Sequence, residues 1–95
     1  DTVIYINYRE ENDISPPYPN PSRTSMMVEF TSGGPQVVNC AIYSTAGKLC
    51  LSETRALHEG LNQLEFHLDS LENGNYILRI LTQSFTRSYP LILIR

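Results

Sequence analysis

Tryptophan is absent from the 95-residue chain, lysine occurs once and cysteine only twice. Each scarcity narrows what the protein can do. A sugar-binding platform stacks aromatic faces on apolar sugar faces, and here it would have to be built from Tyr5, Tyr8, Tyr18, Tyr43, Tyr76 and Tyr89. Tyrosine is also a good strand residue, half buried with its hydroxyl wet, and that reading accounts for them better. Cys40 and Cys50 supply neither a disulfide framework nor the four closely spaced ligands of a structural zinc site. Against 10 acidic residues stand 7 basic ones, scattered at Arg9, Arg23, Lys48, Arg55, Arg79, Arg87 and Arg95, for a formal charge of -3. A nucleic-acid binder needs a cationic footprint, so the charge argues against nucleic acid as a partner. Long apolar runs are missing too. The longest is Leu91, Ile92, Leu93 and Ile94, far short of the roughly 20 residues of a membrane-spanning helix.

What is present is enough for a core. Hydrophobic residues make up 41% and charged residues 18%, a balance that folds rather than staying disordered. The length fits one domain, residues 1–95. The chain starts at Asp1 without a signal-peptide pattern, so it is expected to be a piece of a longer protein.

Alternation of apolar and polar residues dominates, and no segment has helical periodicity. Strands are expected at 2–9, 25–31, 36–43, 48–53, 63–69, 76–82 and 88–94, separated by turn signals such as Ser32-Gly33-Gly34-Pro35 and Glu72-Asn73-Gly74-Asn75. Residues 10–21 hold Pro16, Pro17, Pro19 and Pro21. Proline lacks the ladder donor and fixes φ, so this stretch is expected as an extended connector. Short strands at this spacing indicate an all-β sandwich or barrel. Within the hairpin of residues 37–51, a type I turn at Thr45-Ala46 followed by a left-handed Gly47 is expected. Val38, Cys40 and Ile42 then share one face, as do Leu64, Phe66 and Leu68. Residues 53–61 are the weakest for strand and read as a loop or one helical turn.

The candidate chemical sites are thin. Glu65, His67 and Asp69 line one strand face, but nothing completes a metal site around them, and a solvated face explains the row. The hairpin pairing puts Ile42 opposite Cys50 and leaves Cys40 diagonal to it, a poor geometry for a bridge, so two free thiols are expected. No serine or threonine lies in a nucleophile-elbow pattern, and His58 and His67 lack an evident partner. Neither catalytic residues, a metal nor another cofactor is implied.

Four segments in order resemble the C-terminal sorting domain (type A) of the type IX secretion system of Bacteroidetes. Tyr18-Pro19-Asn20-Pro21 is similar to the family's opening Pro-Asn-Pro element. Residues 41–49, Ala-Ile-Tyr-Ser-Thr-Ala-Gly-Lys-Leu, resemble its hairpin, with Gly47 and Lys48 at the motif positions. Gly60-Leu61-Asn62 is similar to its Gly-x-Asn element, and Leu71 to Ile80, with Gly74 and Tyr76, to its Leu-x-x-Gly-x-Tyr strand entry. Two features depart. Ser44 stands where the family often has Asp, and the tail carries one base, Arg95, where members commonly have several lysines.

The resemblance implies a seven-stranded immunoglobulin-like antiparallel β-sandwich that directs a fused cargo from the periplasm across the outer membrane to the cell surface. Its partners would be components of the protein translocon and sortase, with anionic lipopolysaccharide reached only through the cargo. Lys48, Leu91, Ile92, Leu93, Ile94 and Arg95 are the expected partner contacts. Most motif residues are expected to be structural, with Tyr76 at a sheet corner, and an apolar edge strand could pair two copies into a homodimer. The competing expectation is a retained accessory sandwich on a surface protein; a carbohydrate-binding module is a third.

Overall fold

The computed structural model describes residues 12–95, and the strand expected at 2–9 lies outside them. Within the described residues seven strands run in the order β1 (Asp13–Ile14), β2 (Ser25–Ser32), β3 (Gln36–Ser44), β4 (Leu49–Leu57), β5 (Gly60–His67), β6 (Gly74–Leu81) and β7 (Thr86–Leu93). They form a three-stranded sheet, β1-β2-β5, and a four-stranded sheet, β4-β3-β6-β7, with every neighbour antiparallel. Pairing of β2 with β5 and of β3 with β6 interleaves the two sheets in the manner of immunoglobulin-like sandwiches.

The core follows from the alternation. Met26, Val28 and Phe30 of β2 and Leu64 and Phe66 of β5 face Val38, Cys40 and Ile42 of β3, Leu78 and Ile80 of β6, and Leu91 and Leu93 of β7; all are at most 5% exposed. Each fully buried side chain of this kind contributes about 1.5–3 kcal/mol relative to exposure.

Two findings differ from the pattern expected of the sequence. β4 does not stop at Glu53 but continues through Leu57, and β5 already begins at Gly60 and ends at His67, so strand takes up most of the stretch 53–61 expected as a loop or helical turn. Its register shifts beside Ile42, so that Tyr43 pairs with Leu49 while Ile42 pairs with Leu51 instead of Cys50. The extra residue is a β-bulge at Cys50, which turns both Cys50 and Leu51 toward the core. Beyond it, Glu53 and Arg55 fall on the inner side of an edge strand. Their charges, at odds with a core-facing pattern, pair with each other at 2.7 Å. Arg55 also lies 4.6 Å over the Phe66 ring and donates to the Glu65 carbonyl at 2.5 Å, closing the gap between β4 and β5. Inward-pointing charge of this kind also discourages another strand from adding to the edge.

The second finding concerns the proline-bearing segment. It is extended, and it is also part of both sheets. Asp13 and Ile14 pair with Thr31 and Phe30, Ser15 N–H donates to the Glu29 carbonyl at 2.9 Å, and Tyr18 exchanges two backbone bonds with Met27. The chain then crosses to the other sheet, where Ser22 bridges to Leu93 in parallel.

Candidate functional site

The outer face of the four-stranded sheet is assembled by register. Leu49 opposes Tyr43, Tyr43 opposes Ile77, and Ile77 opposes Pro90, giving one row across all four strands. Residues directly opposite in an antiparallel pair share a face, so this row is a continuous band of apolar surface. Of the exposed large hydrophobics, Val37, Leu49, Ile77, Leu81, Ile92 and Ile94 lie on this side of the chain, and Tyr18 and Leu61 lie elsewhere. Arg79, two residues beyond Ile77, lays its guanidinium 4.8 Å over the Tyr43 ring. Tyr43, Ser44, Thr45, Gly47, Ile77 and Arg79 line a shallow depression beside the hairpin tip, where Lys48 is exposed.

This geometry divides the expected contact residues. Leu91 and Leu93 are fully buried in the core, whereas Ile92 is 37% and Ile94 53% exposed. Arg95 is committed within the fold: its guanidinium donates to the carbonyls of Leu68 and Leu71, and its backbone N–H to Asn73 Oδ1 at 3.1 Å.

The motif residues hold turns and edges. In the β3–β4 hairpin the Gly47 N–H donates to the Ser44 carbonyl at 2.9 Å and Gly47 takes φ of 88°, a type I turn closed by a left-handed glycine. Ser44 does what an aspartate would do there, its hydroxyl accepting the Lys48 N–H at 3.2 Å. Gly60, with φ of 98°, makes the β4–β5 turn, and the buried Asn62 amide binds three carbonyls and one N–H around it. Gly74 opens β6 opposite Leu93. Tyr76 donates its hydroxyl to the Glu72 carbonyl at 2.6 Å, the tyrosine corner of immunoglobulin-like sandwiches. Replacing Tyr76 with Phe removes that bond and leaves the ring, so a loss of about 1–1.5 kcal/mol is expected, read as a fall of roughly 4–10 °C in melting temperature.

Pro19-Asn20-Pro21 carries a function that spacing alone did not reveal. Asn20 acts as a two-handed clasp on the outer edge of β7: its Nδ2 donates to the Pro90 carbonyl and its Oδ1 accepts the Ile92 N–H, both at 2.9 Å. Ser22 continues the cover, accepting from Ile94 at 2.8 Å and donating to the Ile92 carbonyl at 2.7 Å. Pro90, which has no N–H to offer, sits where the edge strand can tolerate it. In the sequence, Pro90 marks the last strand as an edge, but nothing there pairs it with Asn20.

Both cysteines are free. Cys40 lies opposite Glu53, and burial first, with Glu53 adding to it against the opposing pull of Arg55, pushes its thiol up to about 11. Native protein treated with a thiol reagent near neutral pH is therefore expected to show one fast thiol, half-buried Cys50, with Cys40 reacting only on unfolding. Two fast thiols would contradict this core. Glu65, His67 and Asp69 are all exposed, and among the described residues no group of three His, Cys, Asp or Glu side chains is placed to hold a metal ion. Nor, among the described residues, is any helix long and apolar enough to cross a membrane.

The fold and the site thus define an immunoglobulin-like module whose motif residues shape turns and edges and whose distinctive surface is an apolar face. Residues 17–93 match the family described as the secretion system C-terminal sorting domain. The chain belongs to that family, the sorting domains of type IX secretion, which is not an enzyme family and whose members interact with secretion machinery. Membership implies export to the cell surface or outside. Comparison with curated proteins gave no match.

Proposed function

We propose that residues 1–95 act as one unit, the address of an exported cargo. It is read by the type IX translocon after the cargo has entered the periplasm, and it carries the fused protein across the outer membrane. The family match over residues 17–93 carries this reading. In it, Lys48, Ile92 and Ile94 are partner contacts, Pro19, Asn20, Pro21, Gly47, Gly60, Asn62, Gly74 and Tyr76 keep the module in shape, and lipopolysaccharide is met only by the cargo.

The test is a fluorescent reporter fused ahead of the 95-residue chain in a type IX host, with location and mass both followed. Export with loss of a fragment near the 10.8 kDa of the chain is the expected result for a cleaved address. One observation favours a second reading, a domain retained on its surface protein: the terminal base is tied to Leu68 and Leu71 and is not free for recognition. Export at full mass would select it. A reporter that stays in the periplasm while a proven sorting domain exports beside it would remove both.

A further inference from the structure

The two outer faces of the sandwich differ in kind. On the three-stranded sheet Asp13, Glu29 and Glu65 point outward, interspersed with Met27 and Leu61, and Glu29 is engaged by Tyr18 and Gln63. On the four-stranded sheet the outward strand positions carry no carboxylate. Its band of Leu49, Tyr43, Ile77 and Pro90 is crossed by Arg79, and Lys48 stands at the rim. In a chain with more acids than bases, the strand positions of this face pair an apolar band with a cation and neutral polar residues such as Asn39, Ser52 and Ser88, and no acid.

We propose that this face is held, transiently, by a protein partner whose own contact surface is apolar and presents a carboxylate to Arg79. The proposal deepens the sorting reading and rests on it. Charge, composition and symmetry choose the occupant. Arg79 is already laid flat on Tyr43 by a cation–π contact, so a carboxylate meeting it gains a charge-assisted bond with little further ordering. Tyrosine and arginine amid aliphatic side chains make up the composition on which interface hot spots are built. A second copy of the chain fits poorly, since a two-fold pair would join two faces that both carry Arg79 and Lys48 and offer no carboxylate at their strand positions. The face is also small. Four strands of about eight residues cover about 500 Å² in projection, and the apolar band is one row of that footprint, so contact confined to it stays below the size of a standard interface and suits a contact that is made and released.

The edges sharpen the choice. The outer edge of β7 from Pro90 onward is occupied by Asn20 and Ser22, and the β4 edge is guarded by inward Glu53 and Arg55. Strand addition at these positions competes with contacts already made. Side-chain docking on the open face competes with none.

The experiment is export of the same reporter fusion. Arg79→Glu is expected to lower surface reporter by about tenfold or more, as loss of a central charged anchor does. Because that variant could fail to fold, a Leu49→Gln, Ile77→Gln pair at exposed positions serves as the second probe, and Leu61→Gln with Glu65→Gln on the opposite face as the control. Purified chains of each should melt within about 3 °C of wild type. Folded face variants that export like wild type, beside a wild-type fusion that does export, overturn the proposal and leave the sorting reading standing. A wild-type fusion that is not exported removes that reading and the proposal with it. A dimer in sedimentation that Arg79→Glu dissolves, or binding to phosphatidylglycerol vesicles lost in the same variant, would assign the face to a second copy or to an anionic lipid, and overturns a protein partner.

Discussion

A chain begun at Arg23 is expected to lose about 3–5 kcal/mol against the 95-residue chain, read in urea as a midpoint lower by roughly 2–4 M. The segment it lacks contributes backbone bonds from Ser15, Tyr18 and Ser22, the two amide bonds of Asn20, and the buried Ile14 and Pro17. At about 0.5–1.5 kcal/mol per bond, with burial of Ile14 added, the gross contribution is near 8 kcal/mol. The entropy of ordering those residues disappears with them, which makes the net loss smaller than that sum. Against a total stability of roughly 5–14 kcal/mol for this length, the truncated chain is marginal. It also bares the outer edges of β2 and β7 together, so aggregation should accompany the loss. Asn20→Ala alone should cost about 1–2 kcal/mol, because Pro90 O and Ile92 N–H reach water at an exposed edge. A truncated chain as stable as the full one would mean that the segment is carried by the sandwich and does not build it.

The consequence reaches the proposed function. If the domain leaves its cargo as a folded body, the cut falls before Asp13, since a cut within residues 13–22 would strip one or both edges. Mass spectrometry of the released fragment checks this directly. A folded fragment beginning at Ile14 or later would contradict it.

The sequence disclosed those parts of the fold in which each strand obeys its own alternation. Val38, Cys40 and Ile42, and likewise Leu64, Phe66 and Leu68, are buried as a period of two requires. Gly47 declared its turn because few other residues take φ near +90°. The second half of β4 was hidden for a physical reason. Glu53 and Arg55 face inward at an open side where an ion pair and an aromatic ring, and not aliphatic packing, close the gap. A bulge at Cys50 had by then shifted the register. The role of Asn20 was hidden differently, because a side chain imitating a strand leaves no periodic trace. For the site, Lys48 and the last strand were legible as candidates, but only the pairing of β3 with β6 and of β6 with β7 places Tyr43, Ile77 and Pro90 in one row. That row has long-range origins, and no window of sequence contains it.

Asn62 is the other position where a single change should be felt strongly. Its amide is 6% exposed; Oδ1 accepts the His58 N–H at 3.1 Å, and Nδ2 faces the carbonyls of His58, Gly60 and Phe30 at 2.9, 3.1 and 3.3 Å. Asn62→Ala leaves these groups without that partner, and a loss of about 2–4 kcal/mol is expected, constant with pH because nothing added titrates. Asn62→Asp keeps the shape and the bond from His58, yet turns a second oxygen toward three carbonyls. Burial and those dipoles disfavour the carboxylate, so its pKa in the folded chain is raised above the unfolded value of about 3.9. The protonated acid can donate to one of the carbonyls, and the ionised one cannot. The stability this group contributes is therefore fully present below the unfolded pKa and is lost as pH rises through the folded one. Relative to wild type at each pH, Asn62→Asp should lie close to wild type in acid and fall toward or below Asn62→Ala at neutral pH. Urea titrations of the three proteins across that range decide it: a flat difference for Asn62→Asp would mean that water reaches the turn and that the amide is not the element holding β4 to β5.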